Sequence, residues 1–274
     1  MHGCRSVLSM FSTPIEESFR MNDAAAVRPS HVVQRVQDLP TAVAAFEQAG
    51  FAVQWGSEPS HAHNALIYFE QGPFLELVNP LSIGLRGALM RQVARIGRLL
   101  GEPGLTRLDG WVRSDGFCDH ALEVDVPMTQ ALSQLNSRGV ALSKPRPFSR
   151  TQPDGIRLDW SLVAPLDTTL PFIMDPYRPS LPRPDSHMAH PNGVRRCEAL
   201  TVETLDPTSL ARTLAAMISS ASVEVHSDKT SSVVADGFRY EVQAGPRHRL
   251  VSLTLDCLPC DDGPLGIRFQ SASQ

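Results

Sequence analysis

The sequence predicts an α+β protein that is built from repeated βαβββ units. Two observations carry this prediction. The order strand, helix, strand, strand, strand is present over residues 31–79, and a similar order returns from residue 118 and again from residue 194. A repeat of this length indicates a structural unit that needs a neighbour to bury its sheet. With 274 residues, of which 42% are hydrophobic, the chain is long enough for a sizeable core.

The first unit opens with the β-branched stretch HVVQRV at residues 31–36. A helix is predicted after it, because Asp38 can act as the N-cap, Pro40 falls in the first turn and Gly50 can end the helix. Three strands are predicted to follow the helix, at residues 51–56, 63–70 and 73–79, with a QG turn between the last two.

The second unit follows a helical segment at residues 81–100. Its helix at residues 127–139 carries apolar residues at helical spacing and can end at Gly139. The third unit has the clearest helix signal, with Asp206 as the cap and Pro207 in the first turn. In the segment 81–100, one predicted apolar face lies opposite a row of arginines. That face consists of Leu85, Leu89, Val93, Ile96 and Leu100.

The chain therefore divides into four predicted parts. Residues 1–28 are a flexible leader, and residues 29–177 hold two βαβββ modules, 31–79 and 118–177, joined by the helical segment. The Pro-rich, polar residues 178–193 are a linker, and residues 194–274 form a third βαβββ-like module.

Composition excludes several classes of function. A net charge of −4 argues against nucleic acid as the main partner, and the absence of an apolar run of 18 residues predicts no membrane span. Five scattered cysteines indicate a reducing compartment, so a cytoplasmic location is expected. Cys257 and Cys260 in CLPC lack the second pair of a zinc ribbon and are interpreted as incidental thiols. Nucleotide-binding, α/β-hydrolase and zincin motifs are absent.

Glu76 is the first candidate functional residue, because it stands within the apolar strand PFLELV at residues 73–78. An unpaired buried carboxylate is costly, so its presence in such a strand needs an explanation. Leu75 and Leu77 occupy the opposite face of the strand by alternation. The Glu76 carboxylate is therefore expected to face either a binding cavity or solvent.

Three stretches together carry a family resemblance: HVVQRVQDLPTAVAAFEQAGF, HAHNALIYFEQGPFLELVNP and DHALEVDVPMTQALSQLNSRGV. In order and spacing they resemble the glyoxalase-like proteins of the vicinal-oxygen-chelate superfamily, which also contains bleomycin-resistance proteins and dioxygenases. The resemblance covers residues 31–177, and more loosely residues 194–256. It implies paired modules whose mixed sheet curves into a cup, often with a divalent metal inside.

Carried over to this chain, the resemblance implies the metal ligands His31 and Glu76 in the first module and His120 and Asp175 in the second. Imidazole and carboxylate together suit Zn, Ni, Fe or Mn, and Glu76 would serve as ligand and catalytic base in turn. The alternatives are a strand-edge His31 that is bonded to the backbone and an exposed Glu76 without a metal.

The resemblance also places His61, His63 and Asn64 near the mouth of the cup, as substrate-binding residues, and a polar loop is the alternative. Trp160 and other aromatic residues either line an apolar pocket or belong to the sheet core.

Two functions follow for a small-molecule substrate held in the cup. One is a metal-dependent lyase, isomerase or dioxygenase that acts on a small oxygenated compound. The other is a metal-free binding protein of the resistance type, which sequesters its ligand. The last module is a candidate contact for a homodimer.

Overall fold

The computed structural model describes residues 27–79, 84–114, 116–180, 183–256 and 267–270, whose strands form one sheet of eight strands and one of six. Val27 and Arg28, which are part of the predicted leader, belong to the first strand, and the rest of that leader lies outside the described residues. Cys257 and Cys260 lie outside the described residues. None of the described helices is long and apolar enough to cross a membrane.

The first module contains the elements that the sequence predicts. The Asp38 carboxylate accepts a hydrogen bond from the backbone N–H of Thr41 at 2.8 Å, and Gly50 follows the helix with a φ of +80°. Both helix-end predictions are confirmed, and glycine is the residue that tolerates this left-handed conformation. The elements are β1 (Val27–Arg35), α1 (Leu39–Gln48), β2 (Gln54–Trp55), β3 (Asn64–Ile67) and β4 (Phe74–Val78).

The second module is preceded by two helices rather than one. The additional helix starts at Pro103 and is capped by Glu102, whose Oε2 accepts from the N–H of Leu105 at 2.6 Å. The elements are α2 (Gly84–Leu99), α3 (Pro103–Arg113), β5 (Gly116–Val124), α4 (Met128–Ser137), β6 (Arg146–Thr151), β7 (Arg157–Val163) and β8 (Phe172–Met174).

The two modules join into the eight-stranded sheet, in the order β2-β3-β4-β1-β5-β8-β7-β6. Strand β1 pairs parallel with β4, and β5 pairs parallel with β8 in the same way. The seam between the modules is the antiparallel pair of β1 and β5. The predicted α+β architecture of paired βαβββ modules in a curved mixed sheet is therefore confirmed.

The remaining chain builds a shortened version of the same sheet. After a 3₁₀ turn at Asp185–His187, the elements are β9 (Cys197–Thr204), α5 (Pro207–Met217), β10 (Ser222–Ser227), β11 (Thr230–Ala235), β12 (Phe238–Ala244), β13 (Arg249–Asp256) and β14 (Ile267–Gln270).

The order of the second sheet, β10-β11-β12-β9-β13-β14, explains this shortened repeat. Strand β9 pairs parallel with β12 and antiparallel with β13, and β13 pairs parallel with β14. Strands β13 and β14 therefore stand where β5 and β8 stand in the first sheet. They begin a partial fourth module.

One hydrophobic cluster joins the two sheets. Val32 and Leu122 of the first sheet share this cluster with Leu200 and Leu253 of the second. The neighbours of Val32 and Leu122 along each strand, Val33 and Ala121, belong to a separate small cluster, since successive strand residues face opposite sides. The first sheet therefore has a core face and an opposite face, and that opposite face carries the candidate site.

The apolar face predicted for the helix at residues 81–100 is exposed in its described part. The exposed fractions of Leu89, Val93, Ile96 and Leu100 lie between 43% and 79%. The side chain of Leu85 lies outside the described residues.

Candidate functional site

A cavity of about 540 Å³ lies on the face of the first sheet that points away from the shared core. Residues of β1, β3, β4 and β6 to β8 form its floor and sides, and Leu105, Leu108 and Trp111 of α3 also line it. The aromatic residues Phe148, Trp160, Phe172 and Tyr177 make much of its wall. This volume lies in the range of small-molecule sites, which are mostly apolar with a few polar groups. We call this cavity the cup.

His31 and Glu76 meet on the floor of the cup. Nε2 of His31 lies 3.4 Å from Oε2 of Glu76, and the two side chains come from neighbouring parallel strands. The histidine ring stacks on Phe74 at 4.7 Å and meets the edge of Phe172 at 5.4 Å. Ser30 holds the other ring nitrogen, with its Oγ 3.1 Å from Nδ1. These contacts fix the ring so that Nε2 faces the Glu76 carboxylate.

Burial shifts the pKa of both groups toward their neutral forms. The pKa of His31 falls to about 3, mainly because the ring is desolvated, so the imidazole is neutral at pH 7. The pKa of Glu76 is raised by desolvation, against the opposing effects of Asn64, Arg150 and His63. The contact between His31 and Glu76 is therefore not a charged ion pair.

Asn64 supports Glu76 from the next strand. Its Nδ2 donates to Oε1 of Glu76 at 2.7 Å, while its Oδ1 is buried without a hydrogen-bond partner among the described residues. Gly56 makes room for this amide, because a methyl group there would come within 2.0 Å of Asn64 Oδ1 and 2.8 Å of Arg150 Nη1. The positions of Asn64 and Arg150 therefore require glycine at residue 56, because a side chain there would collide with both of them.

Arg150 supplies a positive charge beside this cluster. Its guanidinium lies 5.1 Å from the centre of the Tyr177 ring, and its charge acts on Glu76, His31 and His63. Nε and Nη1 of Arg150 are buried without a hydrogen-bond acceptor among the described residues. A partly buried guanidinium with two unused donors is a ready partner for a ligand oxygen.

The four predicted metal ligands do not come together. His31 and Glu76 are adjacent, but His120 lies on the core face of β5, where its ring is 5.5 Å from Tyr240 of the second sheet. The reason is register: Ala121 pairs with His31, so the residue before Ala121 must face the other way. His120 is thus placed outside the cup.

Asp175 is also outside the lining of the cup. Its carboxylate accepts from the backbone N–H of Ser161 and forms an ion pair with Arg178. Met174 occupies the position in the second module that corresponds to Glu76, since β8 pairs with β5 as β4 pairs with β1.

The donor set that remains is incomplete for a metal held by protein ligands. No group of three His, Cys, Asp or Glu side chains suited to a metal ion is present in the part of the chain that the structure describes. Ala121 and Met174 stand where the second pair of ligands would be needed, and Arg150 adds a positive charge to the site. Three or four protein ligands are usual for a bound transition metal. The metal role of His31 and Glu76 stays a prediction.

The predicted substrate-binding residues divide in a similar way. Asn64 and Trp160 line the cup, and His63 lines it from an exposed position. His61 is exposed and does not line the cup; its Nδ1 is 2.7 Å from the hydroxyl of Ser60.

Arg150 and Tyr177 are the main residues that the sequence reasoning missed. Strand β6 runs from Arg146 to Thr151 and places Arg150 opposite Leu158 of β7. A signal was present in the alternation of RPFSRT, because Phe148 and Arg150 fall on one face of that strand.

Comparisons with known proteins agree with this architecture. The family model described as "Glyoxalase-like domain" matches residues 30–218. No curated protein sequence matches the chain at a significant level.

Similar solved structures share the fold at low identity. A hypothetical protein from Staphylococcus aureus has 14% identity and a TM-score of 0.66, over 89% of this chain and 99% of that one. The Mn(II)-bound glyoxalase from Novosphingobium aromaticivorans has 11% identity and a TM-score of 0.50, over 86% and 67% of the two chains. Homoprotocatechuate 2,3-dioxygenase from Brevibacterium fuscum has 11% identity and a TM-score of 0.50, over 85% of this chain and 65% of that one.

The family match spans more than half of the chain and includes both modules of the first sheet. At these identities the solved structures bear on the fold alone. The chain belongs to the glyoxalase-like domain family, within the vicinal-oxygen-chelate superfamily.

Proposed function

We propose that the protein binds a small aromatic acid in the cup, and that Arg150 rather than a metal ion neutralises the acid group. The observation that carries this proposal is the pair of buried Arg150 donors, Nε and Nη1, that have no acceptor among the described residues. A charge-assisted hydrogen bond from a guanidinium to a carboxylate satisfies such donors and is about twice as strong as a neutral one.

The aromatic residues in the wall of the cup favour a ligand that contains an aromatic ring. Trp111, Phe148, Trp160 and Phe172 line a cavity of about 540 Å³, which accommodates one or two rings beside the acid group. Aromatic faces and edges stabilise a bound ring by offset or edge-to-face contacts.

The polar groups on the floor of the cup favour a ligand that has an additional oxygen. Oε1 of Glu76 is occupied by Asn64, whereas Oε2 faces Nε2 of the neutral His31 at 3.4 Å. A ligand hydroxyl can donate to Oε2. The preferred ligand is therefore an aromatic hydroxy acid.

Tryptophan fluorescence tests this proposal, because Trp111 and Trp160 are both in the lining. Mandelate, phenylacetate and 2-naphthoate are titrated into the protein, with the matching neutral amides as comparison ligands. At least one acid is expected to quench the fluorescence in a saturable way, and the Arg150→Ala variant is expected to weaken binding by about tenfold or more.

Arg157→Ala is the matched control, because Arg157 is an exposed arginine of β7 that pairs with Asp159 and does not line the cup. Its affinity for the acid should equal that of the unchanged protein. Equal binding of acid and amide, or an affinity that Arg150→Ala leaves unchanged, would contradict the proposal.

A second candidate function is proton transfer by Glu76, as in lyase and isomerase chemistry. The raised pKa of Glu76 favours it, since a carboxyl with a pKa closer to neutrality is a better acid and base at physiological pH. Exchange of the ligand C–H next to the acid group in D₂O measures this activity. Glu76→Gln should abolish the exchange and keep the binding; exchange that survives would contradict it.

Metal-dependent lyase, isomerase or dioxygenase chemistry requires more donors than His31 and Glu76. A bound divalent ion would polarise a ligand oxygen. In such a site the ligand or water would have to supply most of the coordination shell, beside the guanidinium of Arg150.

A further inference from the structure

A second cavity, of about 740 Å³, lies outside the cup, and we call it the crevice. Its lining combines the end of α3, the first half of β5, the loop before β8 and the start of β13. The crevice therefore lies where the first and second sheets meet, on the core side of β5. Nothing in the proposed function of the cup uses it.

Two histidines bring unused nitrogen atoms to the crevice. His120 is 96% buried, with an exposed fraction of 4%, and its Nε2 has no hydrogen-bond partner among the described residues. Nδ1 of His248 is likewise buried and without a partner in the described part of the chain. Both side chains line the crevice. Buried polar atoms in native proteins are normally paired, so two such atoms at one cavity indicate a missing polar partner.

Positive charge dominates the described lining. Arg113, Arg247 and Arg249 are in it, against the single carboxylate of Asp119. That carboxylate is already engaged by Arg107 at 2.5 Å, by the indole N–H of Trp111 at 2.6 Å and by the backbone N–H of His120 at 2.8 Å.

The arginines differ in how far they are engaged. Arg249 pairs with Glu203 at 2.6 Å, and Nε of Arg113 pairs with Asp109 at 3.0 Å. Arg247 forms no ion pair or hydrogen bond with a described residue, although its charge lowers the pKa of Glu203. Arg247 is therefore the cation of the crevice that remains available for a ligand.

We infer that the crevice is an anion-binding site, which takes the phosphate or carboxylate group of a small molecule between Arg247, His248 and His120. The two histidines act as N–H donors to the anion, and Arg247 supplies the compensating charge. A cation is disfavoured, because three arginines line the same space and the Asp119 carboxylate is occupied.

Titration calorimetry with inorganic phosphate and, separately, with acetate tests the site at low ionic strength, where surface charges are least screened. The variants are Arg247→Ala, His248→Gln and His120→Gln, each checked for its unfolding temperature. Because Arg247 is exposed, its substitution leaves the core unchanged. The control is Arg157→Ala on the surface, and Arg150→Ala separates anion binding in the cup from anion binding in the crevice.

The expected result is saturable binding of either anion that is weakened about fivefold or more by Arg247→Ala, by His248→Gln and by His120→Gln, and that is unchanged by Arg157→Ala. The anion that binds more tightly assigns the ligand class. Absence of saturable binding for both anions would overturn the inference, as would binding that Arg247→Ala and His248→Gln leave unchanged. Loss of binding in Arg150→Ala would assign the anion to the cup and overturn it as well.

Discussion

Asn64 donates a hydrogen bond from Nδ2 to Oε1 of Glu76 at 2.7 Å, across the neighbouring strands β3 and β4. This bond favours the ionised carboxylate, whereas burial of Glu76 favours the neutral acid. The protonation state of Glu76 is therefore set by the balance between burial and its polar neighbours, of which Asn64 has the largest effect.

Asn64→Leu removes the donor and keeps a similar volume. The pKa of Glu76, followed by NMR of its labelled side-chain carboxyl carbon, is expected to rise further above its ordinary value. An unchanged or lower pKa in the variant would mean that the Asn64 amide does not control the Glu76 carboxyl.

Gly56→Ala tests the packing around Asn64 and Arg150. The added methyl group would overlap Asn64 Oδ1, so the variant should lose about 1–3 kcal/mol of unfolding free energy and weaken binding of the aromatic acid. Urea unfolding and fluorescence titration measure the two effects.

Gly110→Ala is the control for that substitution, since a methyl group there meets nothing within 4 Å and the residue lies inside α3. It should stabilise the protein by about 0.5–1 kcal/mol. A Gly56→Ala protein as stable as this control would contradict the described packing.

Because His31 is buried in its neutral form, the free energy of unfolding is expected to decrease in acid. Its pKa is about 3 in the folded protein, below the ordinary 6.5, so the unfolded chain binds more protons between these values. The contribution of His31 to the unfolding free energy is therefore complete above about pH 6.5 and decreases as the pH falls toward 3. Once the pH is well below the folded pKa of about 3, the loss of unfolding free energy from His31 is roughly 5 kcal/mol.

Urea unfolding between pH 7 and pH 4 measures this effect. The His31→Gln variant should show a shallower decrease in the free energy of unfolding than the unchanged protein. His61→Gln, which replaces an exposed histidine, should keep the original slope. Identical slopes in all three proteins would show that His31 is not buried in its neutral form.

Metal content is expected to be low in protein purified without a histidine tag, because His31 and Glu76 are joined by no third suitable donor among the described residues. Elemental analysis of the unchanged protein and of the double variant His31→Ala, Glu76→Gln should give similar, substoichiometric values. Near-stoichiometric Ni, Zn, Fe or Mn that disappears in the double variant would contradict this account and support a metal-dependent enzyme.

Local signals in the sequence predict much of the fold. Asp206 accepts from the N–H of Ser209 at 2.9 Å, and its helix begins at Pro207 as expected. The alternation of residues around Glu76 correctly predicts that its side chain lies on the face opposite the core, since Leu75 and Leu77 lie in the core. Caps, turns and alternation depend on neighbours in the chain, so a single sequence contains them.

The rest of the site depends on relationships between strands that are distant in sequence. His120 matches His31 in the sequence resemblance, yet pairing of Ala121 with His31 turns His120 to the other face. A register difference of one residue reverses every side chain of a strand, and sequence spacing does not specify it. Arg150 reaches the cup because the second module folds against the first, over more than 70 residues of intervening chain.

The most direct measurement is a calorimetric titration of the chelator-treated protein with the aromatic acid that binds best, for the unchanged protein and Arg150→Ala. Binding is expected to survive chelation in the unchanged protein and to be weakened about tenfold or more by Arg150→Ala. Binding that is lost on chelation, returns with added Mn²⁺, Zn²⁺ or Fe²⁺ and is unaffected by Arg150→Ala would show that a metal ion, and not Arg150, holds the acid group.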